Sequence, residues 1–263
     1  MAGTATKPVQ GSLEHEPVFV FGTDLAGQHQ GESAVMATKI FGAEPGKASG
    51  PSGHAYAVPC RNSAGELLPP QVIGNYVDSF LAYAQAHPHT LFHVARFACK
   101  ANAHDDATLA PLFAKAPANC LLPGLWTARL NAKQPARLLI FDAGAHLRQE
   151  SWQASLKEYL ALNVPLWNVS AVEIVTVGAA RTVVANDAAA KALGLKHRVF
   201  GPNEAAYGRD AMLVAESKAI WYATHLLSIL DFEQTAQPQQ VRMLGAAARN
   251  GLVIDQLSAK QGG

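Results

Sequence analysis

The 263 residues carry 21 Lys and Arg against 20 Asp and Glu, a formal net charge of +1, with 49% hydrophobic and 16% charged residues. That length suits two ordinary domains, and the apolar share fits a filled core and excludes a disordered chain. The scattered cations form no stripe for neutralising DNA or RNA phosphates, so polymeric nucleic acid is not an expected partner. Cys60, Cys99 and Cys120 follow no paired spacing, so all three are read as small apolar residues, with no metal site and no cofactor expected. No apolar run reaches the about 18 residues that cross a bilayer, so no membrane partner is expected and the location is read as cytoplasmic.

In chain order, residues 1–17 read as a flexible polar arm, and VFVF (18–21), stopped by Gly22, as a buried strand feeding a loop. A helix over 34–41 ends at Gly42. A Gly/Pro loop, EPGKASGPSG, then leads to strand AYAVP. Ile73, Tyr76, Val77, Phe80, Leu81 and Ala84 recur at helical spacing and predict an amphipathic helix over 71–86. Strand TLFHVA, a helix through ATLAPLFAKA capped by Asp105 or Asp106, and strand NCLLP complete a first domain over 18–126. The polar interlude 127–135 reads as a linker, and a second domain covers 136–257 before a flexible tail, 258–263. In that domain strands ARLLIFD, VEIVTV, HRVF, HLLSIL and LVIDQ alternate with helices near 151–162, 184–193, 207–222 and 237–249. The expected class is therefore α/β, the second domain being a parallel doubly wound sheet whose ligand edge lies at the carboxyl ends of its strands.

From Phe19 to Pro59 the chain has Gly22, Ala26, Gly27, His29, Phe41, Gly42, Gly46, Gly50, Gly53, Tyr56 and Pro59 at spacings that resemble a macro-domain-like family found largely in phages and prophages. The resemblance runs on through LFHVARFACKANAHDDATLAPLF and covers about 18–126. It implies a glycine-rich loop entering a helix, where backbone amides approach the diphosphate of ADP-ribose. The implied ligand residues are Gly22, Thr23, Asp24, Gly27, His29 and Gly31, with Arg96 and Cys99 across the pocket. Departures stand beside these matches. Gln30 and Glu32 occupy glycine positions, Asp24 replaces the usual Asn, and the loop Ala98-Cys99-Lys100-Ala101-Asn102-Ala103 has lost three glycines.

From Arg137 to Gln256 the chain resembles the Rossmann-like SLOG superfamily, aligning without gaps from Val172 to Arg209 and keeping Phe200, Tyr207, Gly208 and Arg209 in register. The resemblance implies phosphate binding on loops after strands, of which Gly144, Gly178 and Arg181 remain, with Arg148 as a further candidate. Ala179 and Thr182 stand at glycine positions and Val184 at an acidic one, so this loop is expected to be vestigial and N-glycosidic hydrolysis there is not expected.

Weaker patterns read as structure. His87, His89 and His93 straddle a helix end and a strand, and GAEPGKAS lacks the spacing of a nucleoside-triphosphate loop. The expected function is a non-catalytic phage- or prophage-type accessory protein with eroded nucleotide sites and an ADP-ribose- or NAD-derived small molecule as ligand. One alternative is a structural or interaction protein of a phage particle, with a protein assembly partner, placing the chain in the host cytoplasm or on the virion. The other is a hydrolase or transferase acting on N-glycosidic or ADP-ribosyl bonds, with Asp24 or His29 as catalytic acid or base.

Overall fold

A computed structural model of the chain describes residues 16–98, 103–142, 149–178, 180–230 and 237–258. It divides into two units, Met1–Leu122 and Pro123–Gly263. The first contains β1 (Val18–Asp24), α1 (Glu32–Phe41), β2 (Gly50–Ser52), β3 (Ala55–Arg61), α2 (Pro70–Ala86), β4 (Phe92–Val94), α3 (Asp106–Leu109) and β5 (Cys120–Leu121). A 3-10 turn over Ala110–Phe113 continues α3, and Asp105 caps it by accepting the Thr108 amide at 2.8 Å.

The five strands are ordered β2-β3-β1-β4-β5, all parallel except β2, which pairs antiparallel with β3. Strand β2 lies inside the expected Gly/Pro loop. It is only three residues long and contains Pro51, so its sequence carries turn signals and no apolar run. The sheet's core is aromatic. Phe19 stacks on Phe41 at 4.7 Å, while Phe80 of the buried α2 face meets Tyr56, Phe92 and Phe113.

The second unit opens with α4 (Gly124–Arg129), whose last three residues fall at the start of the expected linker. The two units meet at Leu122/Pro123. A Cβ on Gly124 would sit 2.9 Å from the Thr224 carbonyl, so this position lets the helix close on the rest of its own unit. Next come β6 (Ala136–Asp142), α5 (Gln149–Trp167), β7 (Val172–Val177), α6 (Ala180–Ala192), β8 (Lys196–Phe200), α7 (Glu204–Tyr207), α8 (Ala211–Tyr222), β9 (His225–Leu230), α9 (Pro238–Asn250) and β10 (Val253–Ser258). The helix expected over 207–222 is broken at Gly208, whose φ of 52° cannot continue a right-handed helix.

All five strands of this sheet are parallel, in the order β10-β9-β6-β7-β8. Trp152, Leu156 and Tyr159 of α5 and Ala185 and Ala189 of α6 pack on Leu138, Ile140, Ile174 and Leu227. Helices α8 and α9 contact the same sheet through another set, including Ala219, Ile220, Met243 and Ala247, so the sheet is doubly wound. Among the described residues no helix is long and apolar enough to cross a membrane.

Candidate functional site

Strand β1 lies between β3 and β4 and runs parallel to both, so the loops after β1 and β4 open on one edge where the connection reverses. In α/β sheets this crevice is where ligands bind. Gly22 is at its base, but a Cβ there would come within 2.6 Å of Phe97 Cβ, so the glycine serves close packing under a buried ring. Thr23 is buried, and its carbonyl accepts from the Cys60 thiol, whose pKa burial pushes up to about 11.

Asp24 organises the loop. Its Oδ1 accepts the amides of Ala26 at 2.9 Å and Gln28 at 3.1 Å, while its carbonyl accepts the Gly27 amide. Three N–H groups that a glycine-rich loop offers to a phosphate are thus taken internally. Gly27 has φ 68°, and a Cβ there would clash with Gly46 at 2.6 Å, so it too is held by a backbone crossing.

His29 is 5% exposed, and its two ring nitrogens meet Thr38 Oγ1 at 3.2 Å and the Lys47 carbonyl at 3.1 Å. The ring also packs edge-on to Phe21. This histidine ties the β1–α1 loop to α1 and to the following loop through both ring nitrogens. Gly31 is exposed, has open space where a Cβ would be, and precedes α1 with no side-chain cap. Glu32, in the first turn of α1, supplies a carboxylate to the positive end of the helix dipole.

Arg96 follows β4 on this edge, but its guanidinium forms a two-point pair with Asp106, Nε at 2.8 Å from one oxygen and a terminal nitrogen at 2.7 Å from the other. The charge that would meet an anion is neutralised within the fold. Cys99 lies outside the described residues. The two terminal stretches 1–15 and 259–263 do as well.

In the second unit Gly178 ends β7 with φ 108° and open space beside it, and Arg181 is exposed on α6. Thr182, at the second lost glycine position, is 2% exposed. Val184, where the SLOG resemblance implies a carboxylate, is 57% exposed. Gly144, Arg148 and Ala179 lie outside the described residues.

Two features escaped the sequence reading. Asp187, His197 and Thr176 line up as carboxylate, imidazole and hydroxyl, with His197 at 3.3 Å from Asp187 and 2.9 Å from Thr176. Thr176 is fully buried and its oxygen accepts the Asn186 amide, which holds the Trp152 indole N–H, so the row ties α5, α6 and the sheet together. The other is a cavity at the opposite, amino edge of the second sheet, beside His225. Neither shows as a motif, because their residues are far apart in sequence.

No family model and no curated protein matches the chain. His87 contacts the Tyr83 carbonyl and His93 packs on Phe19; among the described residues no group of His, Cys, Asp or Glu could hold a metal ion.

Proposed function

We propose that the chain is a non-catalytic accessory protein of phage or prophage type whose first unit has a weak site for an ADP-ribose- or NAD-derived molecule, the second serving as scaffold. The observation that carries this reading is the internal engagement of the first crevice. Asp24 takes loop amides, Asp106 takes Arg96, and Gly31 beside the start of α1 is the one glycine of the loop left exposed with open space. Such an edge offers an anion a helix N-terminus and little else, while Glu32 and Asp24 oppose it. Weak recognition without turnover follows. Titration calorimetry with ADP-ribose tests it: Glu32→Gly should tighten binding about tenfold, the equivalent of about 1.4 kcal/mol. Asp24→Asn keeps a loop-organising oxygen and removes charge, so it should act in the same direction. No heat with any of the three proteins would retire the ligand and leave the interaction-protein reading.

A further inference from the structure

At the amino edge of the second sheet, away from the carboxyl-edge loops, a cavity of about 270 Å³ opens between α4, the turn before β6, the end of α5 and the first residues of β6, β9 and β10. Its volume lies just under the range of about 300–1,000 Å³ usual for small-molecule sites. None of its lining residues carries a formal charge, since Asp, Glu, Lys and Arg are all missing from its wall. Trp167 and Leu166 contribute apolar surface to its lining, and Thr127 and Asn131 polar side chains.

His225 supplies the directional group. Its ring is 7% exposed, lies against the Trp167 indole at 4.2 Å, and has Nδ1 2.8 Å from Thr224 Oγ1. The Thr224 oxygen accepts the Arg137 amide at 2.9 Å, and the Arg137 carbonyl lies at 3.5 Å, so the hydroxyl proton is best given to Nδ1. This sets the tautomer with the proton on Nε2, and Nε2 has no hydrogen-bond partner among the described residues. That nitrogen is not fully enclosed, so a ligand oxygen there would take the place of water. At the rim Asn131 and Asn168, both at φ 50°, hydrogen-bond to each other through their side chains and so join the turn to the end of α5. Two asparagines in the left-handed region fix the rim's shape.

We propose that this cavity binds a small neutral molecule combining an apolar ring with one hydrogen-bond-accepting oxygen, the ring against Trp167 and the oxygen on His225 Nε2. The uncharged wall selects against ions, because a charged ligand would lose its hydration with no countercharge in return. The site is independent of the ADP-ribose reading, so failure of either leaves the other standing.

The probe is benzamide, with benzoate and benzylamine as anionic and cationic counterparts of the same size. Each is titrated into the ¹⁵N-labelled full chain while the Trp167 indole N–H resonance, assigned with Trp167→Phe, is followed. Benzamide should shift it saturably with a dissociation constant of about 1 mM, and the two ions should not. Ala132→Leu, which places a larger side chain on the cavity wall at a half-buried turn position, should abolish the shift. His225→Leu should weaken binding at least about fivefold, while His225→Gln, which keeps a donor, should weaken it less. No saturable shift with benzamide, equal shifts with all three probes, or a shift that survives Ala132→Leu would overturn the proposal.

Discussion

Gly22 shows how one position can satisfy a sequence pattern for two different physical reasons. A glycine after a strand can admit a ligand or admit a neighbouring side chain, and here the neighbour is the ring of Phe97. The contact is with Phe97 Cβ as well as with the ring, so trimming the ring would not make room. Gly22→Ala should therefore lower stability by about 1–3 kcal/mol, the usual cost of overpacking, in urea unfolding of the full chain. An unchanged midpoint would mean that Phe97 moves freely and that the base of the crevice is open. Asp24 and Arg96 follow the same logic, because each stands at a position of the sequence pattern and directs its side chain at the protein's own groups.

At the level of elements, α4 carries the main departure from expectation. Its stretch reads as a polar linker because Thr127, Arg129, Asn131, Lys133 and Gln134 outnumber the apolar residues. Gly124, Thr127 and Ala128 nevertheless line the cavity together with Thr224 and His225, and Gly124 closes directly on Thr224. In urea unfolding, a fragment beginning at Pro123 should be more stable than one beginning at Lys133 by about 3 kcal/mol, comparable to deleting a large core side chain. Equal midpoints would show that α4 adds nothing to this unit. Strands such as VEIVTV and the α2 face were legible because their apolar period is long and uninterrupted. Short elements were not: β2 has three residues with a proline, and the α7 to α8 break turns on the φ of one glycine. The location of the first crevice could be read from the order of strands and glycines. Which of its polar groups are already paired depends on contacts such as Arg96 with Asp106 and His29 with Lys47, which sequence spacing does not encode.

For the whole molecule, the buried imidazole at the base of β9 should govern how stability responds to acid. Burial is the main cause that brings His225 down from its ordinary 6.5 to about 4; Asp255 pulls the other way and Arg137 adds to the decrease. Asp255 is itself engaged, accepting the Tyr159 hydroxyl at 2.6 Å. Because the folded-state value lies below the unfolded one, the unfolded chain binds the extra proton first. The stabilisation is then complete above pH 6.5, declines as pH falls, and is gone below about 4. A difference of about 2.5 units corresponds to about 3 kcal/mol. Carboxylates also titrate in part of this window, so the informative quantity is a difference between proteins. Urea unfolding of the native chain and of His225→Gln between about pH 7.5 and 4 should show the native protein losing about 3 kcal/mol more than the variant. Parallel losses in the two proteins would mean that the imidazole accepts its proton without unfolding, through water entering the cavity beside Trp167.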